Sequence, residues 1–159
     1  MAKATIPADG AIFGMPRRLA LAVAAAVVVA AVLTAAGTWG WFTEFEGVDS
    51  TGELLFQWAV SCAAILIAAA IVLWFGKRAV DSAGANAPAI PALVFGALAL
   101  LSIPAFWLGN YAPFAAGAVV LGVEAHQRGV MGIHRIMAYA GIVFGTVGFV
   151  GSALANIFG

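Results

Sequence analysis

The number of helices in this chain depends on residues 92–123, which read ALVFGALALLSIPAFWLGNYAPFAAGAVVLGV. These 32 residues carry no formal charge, and they are too long for one membrane crossing of about 20 residues and short for two. A glycine, an asparagine and a proline fall within residues 109–113, a combination that favours a turn. We therefore predict two helices, over residues 90–108 and 114–125, the second being short. A single helix kinked at Pro104 is the alternative.

The composition of the whole chain is that of a membrane protein. Of its 159 residues, 64% are hydrophobic and 9% are charged, whereas soluble domains average roughly 45–50% and 25%. Because so few charges cannot cover a surface in water, we predict an all-α integral membrane protein. The formal net charge of zero gives no basic footprint for nucleic acid. The single cysteine, Cys62, excludes an intrachain disulfide and a multi-cysteine metal site.

The N-terminal part of the chain begins with a polar tail and continues as an apolar helix. Residues 1–18 are predicted to form a cytoplasmic tail. Residues 19–37 carry no charge, and at 1.5 Å per residue they are long enough to cross a hydrocarbon core of about 30 Å. A cleaved signal peptide with a basic region at Arg17 and Arg18 is the alternative, although the apolar run is longer than the usual 7–15 residues or so.

Polar segments separate the second and the last predicted helices from their neighbours. Ser50 and Glu53 have the spacing of a capping box, which predicts a helix over residues 54–75 that ends at a glycine. The last helix is predicted over residues 133–157. The predicted organisation is a cytoplasmic tail at 1–18, a two-helix transmembrane hairpin at 19–78, a cytoplasmic linker at 79–89 and a three-helix membrane domain at 90–159.

The distribution of charge predicts how these helices are oriented. With five crossings and the N-terminus inside, all seven Lys and Arg residues lie on the cytoplasmic side, as the positive-inside rule favours. If residues 92–123 crossed only once, Arg128 and Arg135 would lie outside. We therefore predict five transmembrane helices with a cytoplasmic N-terminus and the C-terminus outside.

The fifth predicted helix carries small residues at steps of three and four. Gly141, Gly145, Gly148 and Ser152 fall on one face, and small residues at this spacing let helices approach closely in lipid. We predict that this face packs against another helix. That helix belongs either to the same bundle, to a second copy of the chain or to a different membrane protein.

A polar cluster on the predicted cytoplasmic side is the candidate docking surface. Its members are Lys77, Arg78, Glu124, His126, Arg128, His134 and Arg135. Basic residues at this level also suit anionic lipid headgroups. His126 and His134 are eight residues apart across a break, which is not the spacing of a helical metal site, so we predict no metal and no haem. Glu124 is interpreted as one half of an interfacial ion pair.

The predicted spans lack an ionisable residue near their middles, which argues against ion-coupled transport. The polar residues found there are Thr34, Gln57, Ser61, Cys62 and Ser102. Each of them can be satisfied by its own helix or by a neighbour. The sequence has no nucleophile-elbow, zinc-protease, phosphate-loop or dinucleotide motif. We therefore predict neither catalytic residues nor a cofactor.

Three segments of the second half carry a family likeness: ALVFGALAL at 92–100, VLGVEA at 120–125 and AYAGIVFG at 138–145. Over residues 92–150 the chain resembles a bacterial family of small membrane domains of unknown function. It departs from that family in the loop, where Glu124, His126 and Gln127 stand in places that the family often fills with arginine or hydrophobic residues. The resemblance implies a helical hairpin followed by a third helix, and it implies no activity.

These observations lead to one expected function and two alternatives. We expect a non-catalytic accessory or scaffold subunit of a bacterial inner membrane, which packs with partner membrane proteins or with itself. The alternative is an oligomeric pore or small-solute carrier built on the glycine face of the fifth helix. A third hypothesis, an enzyme that acts on lipids through Glu124 and His126, lacks a group that would orient a nucleophile.

Overall fold

The regular structure of residues 15–38 and 51–158, which are the residues that the computed structural model describes, is helical. The helices are α1 (Arg17–Thr38), α2 (Thr51–Asp81), α3 (Ala89–Leu101), α4 (Tyr111–Gln127) and α5 (Gly132–Phe158), with a 3-10 helix at Ile103–Leu108 between α3 and α4. No strand occurs in these two ranges. The predicted all-α fold class is therefore confirmed. The capping box predicted at Ser50 and most of the polar tail lie outside the described residues.

Three of the helices are long and apolar enough to cross a membrane. They cover Arg17–Gly37, Gly52–Asp81 and Gly132–Phe158. α3 is a shorter apolar helix of 13 residues, and α4 has 17 residues. The length and apolar character of the three long helices support the prediction of a membrane protein.

The uncharged stretch at residues 92–123 folds as a helical hairpin. α3 ends at Leu101, so the single helix predicted over residues 90–108 is wrong in its second half. Pro104 has no N–H group with which to continue the α-helical ladder, and the chain goes on as the tighter 3-10 helix. Gly109 then adopts a left-handed φ of 68°, which allows the chain to turn into α4.

Two other predicted boundaries differ from the structure. α2 does not end near residue 75 but continues to Asp81. Gly76 lies inside this helix, and its missing side chain leaves room for α1. A Cβ on Gly76 would stand 2.7 Å from Cδ2 of Leu19. α4 begins at Tyr111 and not at residue 114, since Pro113 falls in its first turn, where an N–H group has no helical acceptor to lose.

The helix ends meet at two ends of the bundle. Ala89 at the start of α3 clusters with Ala125 near the end of α4, so these two helices are antiparallel. Arg18 at the start of α1 donates from Nη1 to Oε1 of Gln127, at the end of α4, over 3.3 Å. All six lysines and arginines of the described residues lie at this end, which we call the cationic end: Arg17, Arg18, Lys77, Arg78, Arg128 and Arg135. The opposite end contains the 3-10 helix, the start of α4 and the end of α5.

α4 lies at the centre of the bundle. It packs against each of the other four α-helices, and ten of its 17 residues are buried. Leu121 of α4 shares one core cluster with Val23 of α1, Val72 of α2 and Phe95 of α3. The core is thus made of contacts between helices that are far apart in the sequence.

Candidate functional site

The small-residue face of α5 lies inside the bundle, against α3. Its four members are all buried: Gly141, Gly145, Gly148 and Ser152. A Cβ on Gly141 would stand 2.5 Å from the carbonyl oxygen of Ala92, and one on Gly148 would stand 2.5 Å from the carbonyl carbon of Ala99. α3 and α5 therefore run as parallel neighbours in backbone contact, which side chains at these positions would prevent.

α4 covers the remainder of the same face. A Cβ on Gly145 would stand 2.9 Å from the Cβ of Ala118 and 3.2 Å from the carbonyl oxygen of Ala115. Ser152 is completely buried, and its Oγ has no hydrogen-bond partner among the described residues. The face that the sequence singles out for helix packing is thus occupied by α3 and α4 of the same chain.

At the opposite end, Asn156 of α5 forms hydrogen bonds to the 3-10 helix and to α4. Its Nδ2 donates to the carbonyl oxygen of Phe106 in the 3-10 helix over 3.1 Å and to the hydroxyl of Tyr111, the first residue of α4, over 3.3 Å. Asn156 and Tyr111 are both buried. An irregular backbone at membrane depth needs such partners, because lipid offers none. Asn156 is not among the residues predicted from the sequence, although a lone amide in an apolar helix is itself a signal.

Three hydroxyls in or next to the helix interiors, those of Thr34, Ser61 and Ser102, bond to backbone carbonyls. Ser61 of α2 donates to the carbonyl of Gln57 in its own helix and lies equally close, at 3.0 Å, to the carbonyl of Trp107 in the 3-10 helix. Thr34 and Ser102 each donate to the carbonyl four residues earlier, over 2.7 Å. These contacts match the expectation that the mid-span hydroxyls are satisfied by their own helix or a neighbour.

At the cationic end, Arg128 connects α4 to the end of α2. Its Nε donates to Oε1 of Glu124 over 2.8 Å, and its Nη1 donates to the carbonyl of Ser82 over 2.8 Å. Nη2 donates to the carbonyl of Val80, which is one of the last carbonyls of α2. A guanidinium at a helix C-terminus also complements the negative end of the helix dipole. Arg128 and Glu124 thus form a partly buried pair that positions the connection between α2 and α3.

On α2, the two predicted docking residues have different neighbours. Lys77 pairs with Asp81 one turn later, and both side chains are about half exposed. The guanidinium of Arg78 lies 4.4 Å from the ring centroid of the exposed Trp74. An arginine over an aromatic face keeps its N–H donors available at the edge of the ring.

The third group at the cationic end lies where α4 ends and α5 begins. Nδ1 of His126 is 3.4 Å from the hydroxyl of Tyr139, and the two rings are 5.6 Å apart. The guanidinium of Arg135 lies 5.7 Å from the centroid of the same tyrosine ring. His134 is half-buried in the first turn of α5. The structure therefore joins His126 and Arg135 through Tyr139, a residue that sequence reasoning did not select although it follows Arg135 by one helical turn.

Six of the seven predicted docking residues thus form three separate groups at one end of the bundle, and the seventh, His134, lies in the first turn of α5. Glu124 and Arg128 secure α2, Lys77 and Arg78 lie on the surface of α2, and His126 and Arg135 share Tyr139. Within residues 15–38 and 51–158, no group of three His, Cys, Asp or Glu side chains is placed to hold a metal ion.

The chain matches no protein-family model, no curated protein and no solved structure. The resemblance of residues 92–150 to a bacterial family of small membrane domains therefore stays a prediction. Its implied hairpin followed by a third helix agrees in outline with the order of α3, α4 and α5.

Proposed function

We propose that this chain is a five-helix scaffold or accessory subunit of a bacterial inner membrane, with no catalytic chemistry of its own. The observation that carries the proposal is that buried polar side chains bond to other parts of the same chain. Several of those in the helix interiors, such as Asn156 and Ser61, bond to backbone carbonyls of the chain itself. They hold the bundle together instead of lining a site for a substrate.

The outer surface supports the membrane location and gives partners a place to pack. Large apolar side chains are exposed on every long helix, for example Val28 on α1, Leu66 on α2 and Val147 on α5. Exposed apolar area on this scale is unsuited to water and suits lipid or a neighbouring helix. In the proposal, partner proteins dock on these outer faces, because the glycine face of α5 is already covered by α3 and α4.

The proposed orientation places the cationic end in the cytoplasm. Six cations collect at this end against two described carboxylates, Asp81 and Glu124, and the positive-inside rule favours the cytoplasmic side for such an end. The N-terminus is then cytoplasmic and the end of α5 lies outside. The same arrangement makes α3 with the 3-10 helix one crossing and α4 another.

The packing of α5 argues against the alternative of a pore or carrier on its glycine face. A pore lined by that face needs it to be open, whereas Gly141 and Gly148 contact the α3 backbone. Substituting Gly145 by leucine is therefore a poor test of a pore, because the change would disturb the packing against α4 in any case.

Site-specific photocrosslinking in native membranes tests the scaffold proposal. We would replace Phe75 of α2 or Phe144 of α5 by azidophenylalanine, since both are exposed, with Phe95 as a control because it is buried in the core. We expect a discrete crosslinked protein, either a partner or a second copy, from at least one exposed position and none from Phe95. If the exposed positions yield only lipid adducts, the chain is not a scaffold.

A further inference from the structure

The exposed cluster of Arg135, Tyr139 and His126 has a composition and a setting that the scaffold proposal does not explain. Tyr139 is 44% exposed, and its hydroxyl and ring bring the imidazole and the guanidinium to one patch on the surface of α4 and α5. All three side chains can donate hydrogen bonds; one donor of the Tyr139–His126 pair is used between the two residues, and the guanidinium and the remaining donor of the pair face the same patch. The patch therefore presents convergent donors at the end of the bundle where positive charge collects.

Arg135 has no carboxylate partner in the part of the chain that the structure describes. The two described carboxylates of the cationic end are engaged elsewhere, Asp81 with Lys77 and Glu124 with Arg128. No carboxylate of residues 15–38 and 51–158 forms an ion pair with Arg135, whose guanidinium lies over the Tyr139 ring instead. A planar guanidinium with free donors is well suited to a phosphate, which it can bind through two parallel hydrogen bonds.

An apolar track leads from this patch along α5. Ile136 and Val143 are 64% and 54% exposed. They lie three residues before and four residues after Tyr139 in α5, which places all three on one face of the helix. A ligand that fits both parts has a phosphate at one end and a hydrocarbon chain at the other. This combination favours a lipid over an acidic protein segment, which would not use the apolar track.

We propose that Arg135, Tyr139 and His126 form a binding site for the phosphate of an anionic phospholipid whose acyl chain lies along Ile136 and Val143. The inference rests on the membrane location given under the proposed function. The excess of cations over carboxylates at this end selects an anionic lipid over a zwitterionic one, because each Lys or Arg near the membrane surface attracts anionic lipid.

Electron paramagnetic resonance of the full chain in phosphatidylcholine vesicles tests the proposal. Traces of spin-labelled phosphatidylglycerol or spin-labelled phosphatidylcholine report the motionally restricted lipid at the protein surface. We expect the wild-type chain to prefer phosphatidylglycerol by about threefold to fivefold. Arg135→Gln should lose most of this preference, and Arg135→Lys should keep part of it.

Lys77→Gln is the matched control, because it removes one positive charge from the same end, but one that is paired with Asp81. It should keep most of the preference. An equal loss in Lys77→Gln and Arg135→Gln would overturn the proposal, since it would mean a diffuse attraction to the whole cationic end. An unchanged preference in Arg135→Gln would also overturn it, and the patch would then be open to an acidic partner protein.

Two further measurements separate the remaining outcomes. Inorganic phosphate at constant ionic strength should leave the preference unchanged, and abolition of the preference by phosphate would assign the site to a soluble phosphate instead of a lipid. If neither labelled lipid is restricted by the wild-type chain, the membrane location itself is wrong. If both are restricted equally, the scaffold proposal stands and only the lipid site is overturned.

An unchanged helical circular dichroism spectrum and an unchanged total of restricted lipid establish that the variants are folded.

Discussion

Asn156 illustrates how one side chain secures several segments of a bundle. Its amide bonds to the carbonyl of Phe106 and to the hydroxyl of Tyr111, and its Oδ1 lies close to α1, since a Cβ on Gly37 would stand 3.3 Å from it. Four elements therefore meet at this amide: α1, the 3-10 helix, α4 and α5. The 3-10 helix and the start of α4 lie next to this end of α5, so one amide can bond to both of them.

Replacing Asn156 by leucine should lower the free energy of unfolding by about 1–2 kcal/mol, because two hydrogen bonds between elements are lost, one to the carbonyl of Phe106 and one to the hydroxyl of Tyr111. The Phe106 carbonyl keeps the N–H of Gly109 as a donor, so the loss stays moderate. The measurement is unfolding in mixed micelles by increasing sodium dodecyl sulfate, followed by circular dichroism.

Thr146→Val is the control for this substitution. It removes a polar group from the same helix, but the Thr146 hydroxyl is exposed and bonds only to the carbonyl of Ile142 in α5. The loss should stay within about 0.5 kcal/mol. Equal losses in the two variants would mean that the contacts between elements at Asn156 contribute nothing specific.

The contact between α3 and α5 shows how helix sequences encode packing at the scale of elements. Ala92 and Ala99 on α3 face Gly141 and Gly148 on α5, so small residues on both helices let the backbones touch. The spacing of glycines along α5 predicts a close contact, but it does not predict which helix provides the other half. Alanine and glycine are common along the whole chain, and the choice of α3 depends on where the chain turns at Gly109.

Gly148→Ala should destabilise the protein by about 1–3 kcal/mol, because the added methyl group would stand 2.5 Å from the backbone of Ala99 and neither helix can yield without moving. Gly151→Ala is the matched control on the same helix. Its methyl group would stand 3.1 Å from Cδ1 of Ile103, the end of a side chain that can rotate away. We expect a change within about 0.5 kcal/mol for the control, measured by the same unfolding titration. A larger loss for Gly151→Ala than for Gly148→Ala would contradict the contact geometry.

At the scale of the whole molecule, the sequence predicts the helical fold class and the existence of each helix, because apolar length and charge position are properties of the chain itself. It predicts less well where helices end. Gly76 looks like the end of a helix in the sequence, yet it lies inside α2, where the absence of a side chain leaves space for Leu19 of α1. Pro104 looks like a kink, yet it ends α3 and creates the 3-10 helix. The cluster around Tyr139 depends on the approach of α4 to α5 and could not be derived from spacing alone.

The proposed orientation makes a prediction for reporters of membrane side. A reporter inserted after Gly84, in the exposed connection between α2 and α3, should be active only in the cytoplasm. A reporter fused after Gly159 should be active only on the outer side, because five crossings separate it from a cytoplasmic N-terminus. Alkaline phosphatase and green fluorescent protein fusions measure the two cases. If both positions report the same side, the proposal of five crossings is wrong.

The parallel contact between α3 and α5 has a consequence for the order in which the protein is made. Synthesis proceeds from the N-terminus, so α3 and α4 leave the ribosome before the glycines of α5 exist. Until then, the small residues of α3 and much of α4 have no matching surface within the chain. The hairpin formed by α3 and α4 is therefore incompletely packed until α5 has been synthesised. The bundle can therefore be completed only after α5 has been synthesised.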